Sequence, residues 1–413
     1  MKNRTVWIAW VLASALYFYQ YALRSAPASM LPQLSEAFHV TAAGAAAMAG
    51  LFYYSYAAFG LVAGVAIDRL GARAVVPAGA FLIAAGVLLF GSGNAFAANL
   101  GRLMQGGGAA CALIGAVYIV STGLPVDRAA TLIGVTQMFG MAGGAAGPFF
   151  AGALISQGFS WQTFWISMGV AGAVIAVVLV RVLPSEQPKS AQESWIANAL
   201  SALRAVFGNP QTILCGLIAG LLFLPTTIFD MIWGVRFLEE AHGFDYGEAV
   251  LRSATVPLGW VIGCPLLGWL SDRMGRRKPV VIGASVVLMM CLAWILYGNP
   301  DFFPPYLLGL IAGASSGGAM ILFTVSKESN LPEHAGTSTS VLNLLNFALS
   351  AVAGPAFSRV MEGVSETNPV AIERYQMTFQ PLLYGVALAI LLTCVLKESG
   401  PGARVSLKTA EAI

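Results

Sequence analysis

The chain has 413 residues, of which 57% are hydrophobic and only 10% are charged, and its formal net charge is +3. Because soluble domains carry about 25% charged residues, this chain cannot cover itself with a polar surface, and a lipid bilayer is the expected solvent. The small net charge gives no indication of a nucleic-acid partner.

Twelve apolar runs are long enough to cross the hydrocarbon core, which needs about 20 residues of helix. We therefore predict an all-α membrane protein with twelve transmembrane helices in two pseudo-symmetric six-helix halves. The predicted spans are 5–27, 44–67, 74–93, 97–122, 129–153, 161–183, 211–236, 250–271, 279–298, 304–326, 337–358 and 378–397. The length of the first run favours an uncleaved span over a signal peptide.

These runs predict an N-terminal bundle over 1–183, a linker over 184–210, a C-terminal bundle over 211–397 and a tail over 398–413. The linker stretch from Trp195 to Val206 is amphipathic enough to form a helix on the membrane surface. If the N-terminus is cytoplasmic, 16 of the 22 Lys and Arg residues collect on the cytoplasmic side. This bias predicts a multi-pass inner-membrane protein with both termini in the cytoplasm.

One motif occurs twice, at an offset of 204 residues. Its copies are Gly64-x-x-x-Asp68-Arg69-x-Gly71-x-Arg73 and Gly268-x-x-x-Asp272-Arg273-x-Gly275-x-Arg277, here called the first and second Asp-Arg loops. Two further matches, Gly106 with Gly313 and Gly147-Pro148 with Gly354-Pro355, lie 207 residues apart. Such a repeat predicts two parallel halves with a solute site between them near the midplane.

The chain resembles the major facilitator superfamily over essentially its whole length, and three motifs carry the resemblance. They are the two Asp-Arg loops, the segment Arg102-Leu-Met-Gln105-Gly106-Gly-Gly108 in span four, and Gly143-x-x-x-Gly147-Pro148-x-x-x-Gly152 in span five. The third motif is similar to one found in the family's antiporters, with one extra residue before its last glycine. Helix packing is an equal alternative for it.

The resemblance implies a cytoplasmic gate at the two Asp-Arg loops. Asp68 and Asp272 are expected to cap helix ends and pair with arginines, and the glycines allow tight turns and close helix approach. The predicted gate residues are Gly64, Asp68, Arg69, Gly71, Arg73, Asp272, Arg273, Gly275 and Arg277. The resemblance also implies a role in proton coupling for Arg102, whose alternative is a structural one within the first half.

A candidate anion site lies in span one. Tyr17, Gln20, Tyr21 and Arg24 follow the spacing of one helix face, and this polar face suits a water-filled cavity better than lipid. The planar guanidinium of Arg24 fits a carboxylate or phosphate. Anion symporters of the resembled superfamily often carry an arginine in span one. The alternative is that Arg24 reaches the outer headgroups.

Asp230 is the candidate proton-coupling residue in span seven, where it also counts as a solute-binding candidate. The preceding Pro225 predicts a break or kink that frees backbone groups. A carboxyl group in apolar surroundings can take up and release protons near neutral pH, and it could also bind a substrate ammonium. The alternative is an ion pair with Arg102, Arg236 or another base.

Four softer solute-binding candidates are Tyr54, Trp233, Asn343 and Asn346, each of which also has a packing or interface interpretation. The five cysteines all fall inside apolar runs and show no metal-site spacing, so we predict no metal site and no cofactor. The sequence has no glycine-rich nucleotide loop with a lysine and no catalytic constellation. These observations argue against an ATP-driven pump and against an enzyme.

The leading hypothesis is a monomeric secondary transporter that moves a small carboxylate-bearing solute by alternating access, coupled to protons by symport. Candidate solutes are an organic acid, an amino acid or a short peptide. The first alternative is an exporter that exchanges protons for an amphipathic compound. The second is a transporter-like sensor that binds solute without flux.

Overall fold

The computed structural model describes residues 2–40, 42–184, 195–299, 304 and 306–401. Within them, twelve helices are long and apolar enough to cross a bilayer, and no residue is in a strand. They are α1 (Arg4–Ser25), α2 (Ala47–Leu70), α3 (Ala72–Phe90), α4 (Ala95–Gly123), α5 (Val126–Ile155), α6 (Trp161–Val182), α7 (Pro210–His242), α8 (Tyr246–Met274), α9 (Lys278–Tyr297), α10 (Leu307–Glu328), α11 (Pro332–Thr367) and α12 (Ala371–Val395). The predicted fold class is confirmed.

The largest boundary differences occur where polar residues continue a helix beyond its apolar stretch. The span predicted to end at 236 runs to His242, and its last turns carry an Arg236–Glu240 ion pair at the i, i+4 spacing that supports helix. The predicted helix in the linker is observed as Trp195–Phe207. Its position on a membrane surface stays a prediction, and the linker residues 185–194 lie outside the described residues.

The chain divides into two compact units. Unit 1 contains Met1–Val126, Phe139–Gly208 and Asn330–Val341, and unit 2 contains Asp127–Met138, Asn209–Ser329 and Leu342–Ile413. Each unit therefore holds most of one sequence half and the first turns of a helix from the other half. The sequence repeat places the end of the N-terminal bundle at 183 and the start of the C-terminal bundle at 211. These two domain boundaries stay a prediction.

The repeat is visible in how each unit packs. In unit 1, a side chain at Gly106 of α4 would collide with the carbonyl oxygen of Phe52 in α2. In unit 2, a side chain at Gly313 of α10 would collide with the carbonyl oxygen of Val256 in α8. Both glycines thus permit the same close helix approach.

Candidate functional site

Arg24 lies among tyrosine rings in unit 1. Its guanidinium carbon is 4.5 Å from the centroid of the Tyr21 ring on α1 and 5.1 Å from that of Tyr53 on α2. Tyr17 donates a hydrogen bond of 3.3 Å to the Tyr21 hydroxyl, and the two rings meet edge to face. The helical spacing thus predicted correctly that these side chains share one face, and a neighbouring helix completes an aromatic cluster around the cation.

Gln20 lies on the same helix as Arg24 and is only 1% exposed. Neither its amide nitrogen nor its amide oxygen has a hydrogen-bond partner among the described residues. An unpaired buried polar group costs about 1–3 kcal/mol, so a buried amide with both ends unpaired is a natural contact for a polar ligand.

The structure places Tyr53, and not the predicted Tyr54, against Arg24. Tyr54 is 75% exposed, because neighbouring positions on a helix point about 100° apart. Tyr56 is buried and stacks on Phe52, with ring centroids 5.9 Å apart. The sequence placed tyrosines on α2 but could not tell which of them faces α1.

Arg102 is fully buried in unit 1 and bonds to the protein through four contacts. Its Nε and Nη2 donate to the Ala49 carbonyl at 3.3 and 3.0 Å, and its Nη1 donates to the Leu23 carbonyl at 3.2 Å and to the Gln105 side chain at 2.7 Å. The guanidinium therefore connects α4 to α1 and α2. These bonds fit the structural alternative for Arg102.

Asp230 is 8% exposed in unit 2, where Ser253 of α8 donates to its Oδ1 at 3.0 Å. The alternative is an ion pair between Asp230 and a base, and the described residues do not form one. Arg236 pairs with Glu240 at 2.9 Å instead, and no base lies within ion-pair distance of Asp230. This carboxylate is held by one hydroxyl and has no basic partner among the described residues.

The backbone around Asp230 is a π-helix. Pro225–Gly234 forms ten residues of π-helix between α-helical segments Pro210–Leu224 and Val235–His242. The expected disruption at Pro225 therefore takes the form of a widened helix, since proline cannot donate to the α-helical pattern. π-Helical segments are frequent at functional sites.

The softer candidates lie in different surroundings. Trp233 is half-buried and contacts Tyr375 and Phe379, with Arg236 over its ring at 5.4 Å, an arrangement that fits its packing interpretation. Asn343 and Asn346 are both buried on α11, and the side-chain oxygen of Asn346 has no hydrogen-bond partner. Asn346 therefore keeps a free acceptor for a ligand.

Asp68 of the first Asp-Arg loop caps the helix Ala335–Thr367 inside unit 1. Its Oδ1 accepts from the Gly336 amide and its Oδ2 accepts from the Thr337 amide and hydroxyl, all at 2.7 Å. A carboxylate at a helix N-terminus satisfies free amides and opposes the helix dipole. Arg69 and Arg73 form no ion pair with it in the described residues.

Asp272 of the second loop caps the helix Ala129–Ser156 inside unit 2 in the same way. It accepts from the Ala130 amide at 3.3 Å and from the Thr131 amide and hydroxyl at 2.7 Å. In addition, Arg277 donates to Asp272 at 2.6 Å and to Glu328 at 2.9 Å, and its side chain is completely buried. The predicted pairing with arginine thus occurs in one copy only.

The remaining gate candidates separate into turn-forming and exposed residues. Gly71 and Gly275 adopt φ values of +76° and +62°, which disfavour other residues and which shape the two loops. Arg273 is exposed and lies over Trp269, whereas Arg73 is exposed without a described ion pair. The aspartates and Arg277 therefore make the described hydrogen bonds and ion pairs of the two loops.

Gly64 is expected to be intolerant of a side chain. A Cβ there would collide with Ser340 and with the Gly336 carbonyl oxygen, whereas a Cβ at Gly60, one turn earlier on α2, would meet nothing within 4 Å. Gly64→Ala should lower the free energy of unfolding by about 1–3 kcal/mol. Gly60→Ala, the matched control, should be neutral or stabilising by up to about 1 kcal/mol. Thermal unfolding of the purified variants measures both, and equal effects would contradict the predicted contact.

The sequence matches the profile of the Major Facilitator Superfamily over residues 13–355, which is most of the chain. The chain belongs to the Major Facilitator Superfamily. A crystal structure of the superfamily transporter FucP in the outward conformation superposes with a TM-score of 0.71 at 17% identity, covering 95% of this chain and 99% of that one. This likeness concerns the fold.

Among superfamily relatives, the membrane sensor protein UhpC of Salmonella typhimurium is 24% identical over 87% of this chain and 84% of its own length. A hexuronate transporter of Bacillus subtilis is 25% identical over 66% of each chain. An MFS-type efflux pump of Mycolicibacterium smegmatis is 24% identical over 58% of this chain, and the match spans only 57% of that pump. The chain is thus a transporter by family, and its relatives include a hexuronate transporter, an efflux pump and a membrane sensor protein.

The residues that the two Asp-Arg loops contact were not identified from the sequence. Thr131 and Thr337 donate hydrogen bonds to Asp272 and Asp68, and they lie 206 residues apart, which is close to the repeat offset. Aligning the two halves of the sequence could therefore have found them. Glu328, which pairs with Arg277, closes span ten, where the sequence leaves an inner gate and simple solvation both open. Its sequence position at the end of an apolar run did not reveal a buried ion pair.

Proposed function

We propose that the chain is a secondary transporter that takes up a small carboxylate-bearing solute by proton symport. The observation that carries this proposal is the Arg24 cluster of unit 1, where a cation lies among tyrosine rings on the helix that also carries the unpaired, buried amide of Gln20. A guanidinium offers two parallel donors to a carboxylate, and the amide and hydroxyl groups add donors that fix its orientation.

The comparison with known proteins supports the anionic solute class. One relative is a hexuronate transporter, and hexuronates are sugar acids that carry a carboxylate. The organic acid, amino acid or short peptide left open by the sequence all share this group.

Asp230 supplies the proposed proton site. It is buried, is held by Ser253 and lacks a basic partner in the described part of the chain, so protonation would neutralise a charge that is otherwise costly to bury. For Arg102 we favour positioning over proton transfer, because its described bonds connect α4 with the helix that carries Arg24.

We further propose an inner-membrane protein with both termini in the cytoplasm, acting as a monomer. The distribution of Lys and Arg supports this orientation, and it would place both Asp-Arg loops at the cytoplasmic face. Their aspartates would then cap helix ends as a gate that closes this face.

Flux in proteoliposomes tests the proposal. Purified protein should take up an organic carboxylate against its gradient when the external pH is lower, and the lumen should acidify together with uptake. A panel of sugar acids, amino acids and dipeptides, screened first by thermal stabilisation, identifies the solute. Uptake that does not respond to a pH gradient would rule out proton coupling.

Arg24→Lys should weaken carboxylate affinity about tenfold, because an ammonium cannot reproduce the planar two-donor contact. Solute affinity can be measured by thermal shift or calorimetry on the identified carboxylate. Arg236→Lys is the matched control, since Arg236 is exposed and pairs with Glu240. Unaltered affinity in Arg24→Lys would support the alternative in which Arg24 reaches lipid headgroups.

Two other functions have specific support. Export of amphipathic compounds by proton exchange is supported by the similarity to an efflux pump. The span-five glycines, by contrast, favour packing: a side chain at Gly143 or Gly147 would collide with the Phe18 or Ala22 carbonyl of α1. A sensor role is supported by the long match to UhpC, and it predicts solute binding without flux.

A further inference from the structure

A cavity lies wholly within unit 2 and involves no residue of the Arg24 cluster. The helices α7, α8, α9 and α10 contribute its walls. Asp230 and Ser253 line it together with Phe229, Phe237 and Trp294. Small-molecule pockets typically combine such apolar and aromatic walls with a few polar groups.

The charges around this cavity favour a cation. The basic lining residue Arg252 bonds to Glu248 at 2.7 Å and lies 4.0 Å from the Phe244 ring centroid, so its charge is balanced locally. Asp230 has no such balance, since Ser253 donates to it and none of the described bases is within ion-pair distance. A buried carboxylate of this kind repels anions and is stabilised by a positive ligand.

The walls distinguish an organic cation from a metal ion. Aromatic faces attract organic cations, whereas metal ions of the calcium or magnesium type need several oxygen ligands. No group of three or more histidine, cysteine, aspartate or glutamate residues is close enough to hold a metal in the described chain. The cavity instead offers one carboxylate and a large apolar volume.

An unsatisfied hydroxyl gives a second, independent indication of a ligand. Ser316 of α10 lines the cavity and is 1% exposed, and its Oγ has no hydrogen-bond partner in the part of the chain that the structure describes. Buried hydroxyls in proteins are normally paired. A ligand with an N–H donor would satisfy this oxygen as well as the Asp230 carboxylate.

We propose that this cavity is a binding site for an amphipathic organic ammonium, whose charged nitrogen contacts Asp230 and whose apolar body lies among Phe229, Phe237 and Trp294. The site goes beyond the proposed carboxylate transport, although it shares Asp230 with it. Bound ammonium would take the place of the proton at this carboxylate and would therefore inhibit proton-driven uptake.

Binding of 2-phenylethylamine to the purified full chain tests the proposal. The amine should raise the unfolding temperature and bind in calorimetry, whereas 2-phenylethanol, with nearly the same body, should bind at least tenfold more weakly. Equal binding of the amine and the alcohol, or no binding of the amine, would overturn the proposal.

Three variants locate the site. Asp230→Asn should weaken amine binding at least tenfold, and Ala312→Leu should do so by filling the cavity without changing its charge. Asp245→Asn is the matched control, because Asp245 is an exposed carboxylate that caps α8 and asparagine caps equally well. Amine binding that survives both cavity variants would contradict the assignment.

The two proposals fail separately. If the amine does not bind but Asp230→Asn still abolishes proton-driven accumulation, the ammonium site is wrong and the proton site stands. If the amine binds through Asp230 but the variant accumulates solute normally, the ammonium site stands and the proton role is wrong.

Discussion

Asp230→Asn abolishes uphill accumulation of the solute while exchange of solute across the membrane continues. Asparagine keeps the size of the side chain and can still accept from Ser253, but it cannot bind and release a proton. Since alternating access with bound solute needs no proton change, exchange of labelled for unlabelled solute should stay within about twofold of wild type, and accumulation should fall at least tenfold.

Paired flux assays in proteoliposomes measure both quantities, one with an imposed pH gradient and one with solute on both sides. Asp245→Asn is again the control, since it removes an exposed carboxylate of the same unit. Normal accumulation in Asp230→Asn would remove Asp230 from the coupling mechanism, and loss of exchange as well would indicate a defect in solute binding or folding.

Arg102→Ala is the most destabilising single change that we expect. It leaves the carbonyls of Ala49 and Leu23 and the side chain of Gln105 without their buried donor. Since each unpaired buried group costs about 1–3 kcal/mol, the free energy of unfolding should fall by at least about 3 kcal/mol. Arg102→Lys should restore little of it, because an ammonium lacks the planar fork.

Thermal unfolding of the purified variants measures this effect. Arg236→Ala is the control, since its exposed ion pair with Glu240 should contribute less than about 1 kcal/mol. A variant of Arg102 with wild-type stability but without proton-driven uptake would contradict the structural role and would favour proton coupling.

Much of the Arg24 cluster could be read from the sequence, because it depends on local periodicity. Tyr17, Gln20, Tyr21 and Arg24 share a face through helical spacing alone, and the structure shows contacts between Tyr17 and Tyr21 and between Tyr21 and Arg24. The choice of Tyr53 over Tyr54 required the rotation of α2 against α1. A periodic pattern does not contain that rotation when both positions are tyrosine.

The Asp-Arg loops divide in the same way. Their repeat and their turn glycines are local, and the sequence predicted a capping role for both aspartates. The capped helices lie far away in the sequence: Thr337 is 269 residues from Asp68, and Thr131 is 141 residues from Asp272. Only packing brings these pairs together.

By itself, the sequence determined the membrane environment, the twelve helices and the duplication, because hydropathy and repeated motifs are properties of short segments. Tertiary structure decided which buried polar groups are paired within the protein and which are not. Arg102 bonds to backbone carbonyls of two neighbouring helices. Asp230 lines a cavity and has no basic partner among the described residues. The physical reason is that a buried charge is defined by groups on other helices, and their distances follow only from packing.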